Sequence, residues 1–252
     1  MPAVPPATAL FITCLVDLYR PQVGFASLQL LEHAGLPAAV PEAQTCCGQP
    51  AFNSGDRVHA QAIARQVIET FAPYQRVVVP SGSCAGMLRV HYPELLADDP
   101  DWAGRARDFA AKVEELAECL ERAGINLHIA WPGKLCYHHS CAALREMEVQ
   151  GQPLRLLGQV RGLEVCEPAE REACCGFGGT FSVKYPEISV RLADDKLDDV
   201  KATGAELLVA GDLGCLLHLA GRALRRGDQL RVFHLAEVLA DQLDQPGLGE
   251  DG

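Results

Sequence analysis

The chain is predicted to be an α/β protein made of two Rossmann-like parallel α/β halves related by an internal pseudo-twofold duplication. Three observations lead to this expectation. Short apolar runs rich in β-branched residues alternate with segments of helical period, at the spacing of parallel α/β units. A cysteine pattern occurs twice: Cys14, 31 residues, Cys46-Cys47, 36 residues, Cys84, and then Cys141, 32 residues, Cys174-Cys175, 39 residues, Cys215. Equivalent cysteines stand 127, 128 and 131 residues apart, and each adjacent pair is followed by glycine, Gly48 or Gly176. Finally, 252 residues with 48% apolar side chains are enough to bury a sizeable core.

Ala9 to Val16 reads as a buried strand, and Pro21 to Gly35 as a helix with proline near its start and glycine at its close. Ala38 to Val40 is a second short strand ahead of the Cys46-Cys47-Gly48 loop. Asp56 suits the N-cap of a helix in which Ala60, Ile63, Ala64, Val67, Ile68 and Phe71 recur at core-facing spacing. Arg76 to Pro80 carries Val77-Val78-Val79, the run of a parallel strand covered on both faces, and leads into Ser81-Gly82-Ser83-Cys84 and another helix. Arg105 to Gly124 is amphipathic and is expected to be a helix joining the halves. The second half repeats the plan, with strands near Lys134 to Tyr137, Leu163 to Cys166 and Leu207 to Ala210, and helices near Pro153 to Val160 and Pro186 to Thr203. A strand at Val232 to His234 and a terminal helix from Ala236 complete it. The expected division is 8–100 for the first repeat, 101–126 for the joining helix, and 127–240 for the second repeat with its terminal helix. Ligands of such sheets sit beyond the carboxyl ends of strands, where Cys14, Cys84 and Cys215 are expected to fall.

The formal charge of -11, from 22 basic and 33 acidic residues, speaks against nucleic acid or an anionic membrane as the main partner. Asp98-Asp99-Pro100-Asp101 and Asp194-Asp195 read as solvated helix ends or faces, and Arg222, Arg225, Arg226 and Arg231 as the basic C-terminal part of a helix. Met1 to Ala7 lacks a basic n-region, and Asp17 and Asp212 interrupt the longest apolar runs, so neither a leader nor a membrane span is expected. The expected location is the cytoplasm, where clustered thiols stay reduced and serve as metal ligands or catalytic groups.

Eight of the eleven cysteines form two sets of four, Cys14, Cys46, Cys47, Cys84 and Cys141, Cys174, Cys175, Cys215. Four thiolates are the usual complement of an iron–sulfur cluster. Adjacent residues of an extended strand point to opposite faces, so aiming both sulfurs of a pair at one centre needs a bent loop, which Gly48 and Gly176 supply through positive φ. The glycines of Cys174-Cys175-Gly176-Phe177-Gly178-Gly179 would also let backbone N–H groups reach sulfur. Structural zinc is the rival for one or both sites, although its usual ligand pairs lie two to four residues apart. A dithiol redox centre at the adjacent cysteines is the other, and it leaves the outer four unexplained. Cys119, Cys136 and Cys166 have no counterpart in the other half and read as buried packing, with Cys136 an auxiliary-ligand candidate. His138 and His139 could ligate metal, carry protons or donate a hydrogen bond to a cluster. Met87 and His218 stand three residues after Cys84 and Cys215, and Asn53, Lys184 and Tyr185 lie near the paired-cysteine loops. No Walker loop, complete dinucleotide fingerprint or Ser-His-Asp signature is present.

Thr13-Cys14, Cys46-Cys47-Gly48-Gln49-Pro50-Ala51, Gly82-Ser83-Cys84, Tyr137-His138-His139-Ser140-Cys141, the stretch Cys174 to Lys184, and Cys215-Leu216-Leu217 together resemble the lactate utilisation protein A family. That family belongs to the CCG cysteine-rich, iron–sulfur-binding group related to heterodisulfide reductase and glycolate oxidase subunits. The resemblance covers about residues 8 to 240. It implies an oxidoreductase subunit of a cytoplasmic complex that oxidises L-lactate, or a similar 2-hydroxy acid, to pyruvate, with a ferredoxin-like iron–sulfur partner and a third lactate-utilisation subunit. Met87 and His218 replace the further cysteine that helps hold a noncubane cluster in the heterodisulfide reductase branch, which implies four-cysteine sites suited to a more ordinary 4Fe–4S cluster. His139 stands where that family has a proline. A zinc-stapled scaffold and a thiol–disulfide reductase subunit remain the alternative functions.

Overall fold

Three consecutive valines cannot lie in a strand with one wet face. In the computed structural model, which describes residues 7–250, Val77, Val78 and Val79 are fully buried in a strand between two others of the same direction. Met1 to Pro6, most of the segment read above for a leader, lie outside the described residues. The first half runs β1 (Thr8–Leu10), α1 (Cys14–Tyr19), α2 (Pro21–His33), β2 (Ala38–Ala39), α3 (Gln49–Asn53), α4 (Arg57–Thr70), β3 (Arg76–Val79), α5 (Gly82–Gly86), a π-helical turn (Met87–His91), α6 (Tyr92–Leu95), α7 (Ala103–Ala110), β4 (Val113–Glu115) and α8 (Leu116–Arg122). The second runs β5 (Ala130–His138), α9 (Cys141–Arg145), α10 (Gly151–Leu157), β6 (Arg161–Cys166), α11 (Phe181–Lys184), α12 (Pro186–Ala202), β7 (Leu207–Ala210), α13 (Leu213–Arg226), β8 (Arg231–His234) and α14 (Leu235–Leu239).

Each half is a four-stranded parallel sheet, in the orders β2-β1-β3-β4 and β6-β5-β7-β8. The two orders are the same once β1 is matched with β5, so the expected α/β class with two similar halves is what the chain adopts. The helices between the halves pair in exchanged fashion. α1 packs on α13 and α5 on α9, while α2 packs on α14 and α8 on α10. α5 approaches α9 closely because Gly82 faces it: a Cβ there would lie 2.7 Å from the Ala143 Cβ.

Three expectations need correction. The apolar run from Ala9 to Val16 is not one strand; β1 ends at Leu10, and α1 begins at Cys14 because the Thr13 hydroxyl accepts from the Val16 amide. Nor is 105–124 one helix. It holds α7, then β4 paired with β3, then α8, so the segment expected to join the halves completes the first sheet. Glu115 drives the change by ending β4 and turning its carboxylate to the Ala117 amide at 2.6 Å, as the N-cap of α8. The Asp56 cap is as expected. Arg222 and Arg226 form ion pairs with Asp194 that tie α13 to α12, whereas Arg231, read with them as part of one helix end, lies past the left-handed Gly227 that closes α13 and begins β8; Asp99 pairs with Arg65.

Ion pairs also cross between the halves at related places. Arg20 reaches Glu237 of α14 at 2.8 Å with both side chains buried, whereas Arg155 of α10 pairs with Glu121 of α8 in a more exposed setting. Breaking a buried pair strands a charge, while an exposed pair is screened. Glu237→Gln is therefore expected to lower unfolding free energy by about 3 kcal/mol and Glu121→Gln by no more than about 1 kcal/mol, measured by urea denaturation.

Candidate metal centre

The four outer cysteines sit in the first turns of helices that follow sheet strands, where backbone N–H groups have no intrahelical partner. Cys14 and Cys141 are the first residues of α1 and α9, after the capping residues Thr13 and Ser140. Cys84 and Cys215 are the third residues of α5 and α13, after the caps Ser81 and Asp212. Each cap is made by a side-chain oxygen: Thr13 to Val16 N at 3.4 Å, Ser140 to Ala143 N at 3.3 Å, Ser81 to Cys84 N at 3.4 Å and Asp212 to Gly214 N at 3.1 Å. A small polar residue one or three positions before a cysteine thus fixes where each outer thiol points.

The inner pairs lie on the bent loops that the sequence predicts. Gly48 has φ +81° and Gly176 φ +90°, both left-handed. At Gly176 a Cβ would stand 2.4 Å from the Ser189 carbonyl oxygen, while at Gly48 it would meet only the Ile63 side chain, at 3.2 Å. The bends bring the sulfurs together. Cys14 Sγ lies 3.8 Å from Cys46 Sγ, and Cys47 Sγ lies 3.3 Å from Cys84 Sγ. Cys46 accepts from Cys14 and Cys47, which pushes its thiol down to about 2, while the same contacts push Cys14 and Cys47 up. The second set repeats this pattern. Cys174 is pushed down to about 2 by Cys141 and Cys175, with the Gly176 amide donating to its sulfur at 3.3 Å. Phe177 N lies 3.5 Å from Cys175 Sγ. Thiols gathered this closely share protons, and a metal that binds them would displace those protons. The donor chemistry, four converging sulfurs per half, fits an iron–sulfur or zinc centre.

Cavities of about 250 and 210 Å³ open onto the first and second sets. Both lie between the halves: Phe177, Thr180 and Val183 line the first, and Gln49, Ser83 and His91 line the second. Asp212 borders both. It is buried, and its Oδ2 accepts from Ser83 N at 2.9 Å and Ser81 Oγ at 3.1 Å. Tyr92 supports the first loop from below, donating its hydroxyl to the Cys47 carbonyl at 2.9 Å.

The two surroundings differ. At the end of β5, His138 is 1% exposed and neither ring nitrogen has a partner among the described residues. Burial and the nearby Lys196 ammonium push it down to about 3, so it stays neutral. One of its ring nitrogens, Cys175 Sγ and Cys215 Sγ lie within 4.8 Å of one another. His139 instead pairs with Glu167 at 2.6 Å, and His218 is 3.2 Å from Ser189 Oγ, whose hydroxyl donates to the Gly176 carbonyl. His218 thus supports the loop through Ser189. Met87 is fully buried core. Cys119 and Cys136 are buried and Cys166 half-buried, the last donating to the Leu135 carbonyl; Cys136 packs beside Cys166. Asn53 lines both cavities, while Lys184 and Tyr185 are exposed. The capping oxygens, Tyr92 and Lys196 carry roles that sequence reading missed. For the caps the signal was there, in the Thr, Ser and Asp just ahead of the outer cysteines.

The model of the cysteine-rich domain named CCG matches the chain twice, over residues 8–89 and 135–220. Lactate utilization protein A of Shouchella clausii is 46% identical over 236 residues, covering 92% of this chain and 97% of that one. The proteins of the same name from Geobacillus kaustophilus and Bacillus subtilis are 45% and 44% identical over 237 residues, covering 92% of this chain and 97% and 98% of theirs. Among solved structures, an aspartate racemase homologue from Pyrococcus horikoshii aligns over 94% of this chain and 96% of its own, at 12% identity and a TM-score of 0.34, which bears on neither fold nor function.

Because an added methyl meets backbone at one glycine and a flexible side chain at the other, Gly176→Ala is expected to lower the melting temperature more than Gly48→Ala. Both variants also force a left-handed φ on alanine, so each should be destabilised, by at least about 1 kcal/mol. Differential scanning calorimetry of the two single variants checks the order.

Proposed function

The chain belongs to the CCG cysteine-rich family, in its lactate utilisation protein A branch, and from that premise we propose that it is the iron–sulfur electron-transfer subunit of a complex oxidising L-lactate, or a similar 2-hydroxy acid, to pyruvate. Cys14, Cys46, Cys47 and Cys84 would hold one centre, and Cys141, Cys174, Cys175 and Cys215 the other. When bound, such centres take up and release single electrons. Oxidation of a 2-hydroxy acid to the 2-oxo acid releases two electrons and two protons, so two one-electron sites in one chain suit its stoichiometry. The observation that carries the reading is the gathering of eight thiols into two groups on either side of Asp212.

The chain's own groups have definite tasks in this reading. The Gly176 and Phe177 amides aimed at sulfur stabilise negative charge on the second set. Asp212 holds the helices bearing Cys84 and Cys215 in register. Among the described residues no lysine or arginine lines either cavity. The partners proposed are a ferredoxin-like iron–sulfur subunit and a third subunit, with turnover arising in their complex. No helix among the described residues is long and apolar enough to cross a membrane.

A zinc centre is the second reading for the first set. The 3.8 Å between Cys14 and Cys46 is close to the sulfur separation on one tetrahedral zinc with bonds of about 2.3 Å. Purification without oxygen, followed by iron, zinc and sulfide analysis and electron paramagnetic resonance, separates the two. The expected result is iron and sulfide in both sets, with Cys46→Ser and Cys174→Ser each removing roughly half of the iron and leaving the circular dichroism spectrum unchanged. Stoichiometric zinc without sulfide would sink the electron-transfer reading.

A further inference from the structure

The second cysteine set has a polar neighbour that the first lacks. Counting back from Cys14 and Cys141, the residue equivalent to His138 is Phe11, which is fully buried. The position therefore accepts an aromatic ring without any polar function. Placing an imidazole there desolvates two nitrogens, and leaving a buried polar atom unpaired costs about 1–3 kcal/mol. Neither nitrogen of His138 finds a partner among the described residues, although the neighbouring His139 finds Glu167. The imidazole is also placed with purpose: one of its nitrogens forms a triad with Cys175 Sγ and Cys215 Sγ, all three mutually within 4.8 Å and all three residues buried.

We propose that His138 is a nitrogen ligand of the second centre, beside Cys175 and Cys215, so that this centre has a mixed sulfur–nitrogen donor set while the first is held by sulfur alone. A metal of borderline softness such as iron accepts both donor types. Lys196 is buried on the same side, in the place that Val67 holds in α4, because the buried residues Ala60, Ala64, Val67 and Ile68 recur at the same spacing as Ser189, Ala193, Lys196 and Leu197 in α12. An imidazole brings no negative charge to a coordination position that a thiolate would otherwise fill, so where His138 takes such a position the second centre is the more oxidising of the two.

This rests on the proposed iron–sulfur reading, and the test keeps the two apart. Protein labelled with nitrogen-15 histidine is purified without oxygen, assayed for iron and sulfide, poised at a series of potentials and examined by pulsed electron paramagnetic resonance. A strong nitrogen-15 coupling is expected on the centre with the higher midpoint potential. It should vanish in His138→Phe, which restores the first half's residue, and persist in His139→Ile, which does the same one position on. The midpoint of that centre alone should fall in His138→Phe. Iron and sulfide present in both sets with no coupled histidine nitrogen, or a coupling that survives in His138→Phe, would overturn the ligand role alone. Absence of iron and sulfide from both sets would overturn the parent reading and this inference with it.

Discussion

One buried carboxylate determines where the two halves meet. Asp212 accepts from Ser83 N and Ser81 Oγ of the first half and from Gly214 N of its own. Those donors belong to the first turns of α5 and α13, the helices that carry Cys84 and Cys215. Any shift of one half against the other would part a buried carboxyl group from its donors in a setting where an unmet polar group is costly. The position also shows why the duplication cannot be strictly symmetric. Ser81 is the counterpart of Asp212, and a second aspartate there would set two carboxylates side by side, whereas serine supplies a proton donor.

The repeat of cysteines and glycines made much of the architecture legible, because periodic apolar runs and positive-φ turns are local properties. The valine run of β3, the Asp56 cap and the bends at Gly48 and Gly176 are all decided within a few residues. Where local pattern and tertiary pairing compete, the sequence misleads. Val113-Glu114-Glu115 sits in an amphipathic stretch of helical period, yet it forms a strand because β3 offers an open edge and Glu115 can cap the next helix. Ile12 and Thr13 continue the apolar look of β1, but one hydroxyl bonded to the Val16 amide is enough to start α1. Convergence of thiols from three distant loops, and the orphaned state of His138, are properties of the packed interior, where no sequence pattern could have displayed them.

The two halves have diverged in what surrounds the thiols rather than in the thiols themselves. Around the first set the equivalent positions are Phe11, Ile12, Ala60, Val67 and Met87; around the second they are His138, His139, Ser189, Lys196 and His218. Each replacement substitutes a group that can donate, accept or carry charge for one that cannot. Replacing buried hydrocarbon with polar side chains is destabilising unless the new groups are satisfied, and several of them find partners: His139 Nε2 with Glu167, Ser189 and His218 with each other and the loop, Lys196 with the Glu170 carbonyl. That pattern is a polar network built around one site.

Such a difference matters because the sites are close neighbours. Gln49, Asn53, Ser83, Phe177, Gly179 and Asp212 border both cavities, so a single wall of side chains separates the two sets. The chain as a whole is acidic, with a formal charge of -11, and that background disfavours adding electrons at either site alike. Only local groups can then distinguish them. A buried ammonium stabilises the reduced form of a nearby centre much more than a surface cation would, because no solvent screens it. Lys196 lies on the second side alone, held against the Glu170 carbonyl where it cannot swing out to water. A shared wall with unequal linings thus leaves the first set among hydrocarbon and the second among groups that carry charge and hydrogen bonds, an asymmetry that the duplication of the cysteines alone would not produce.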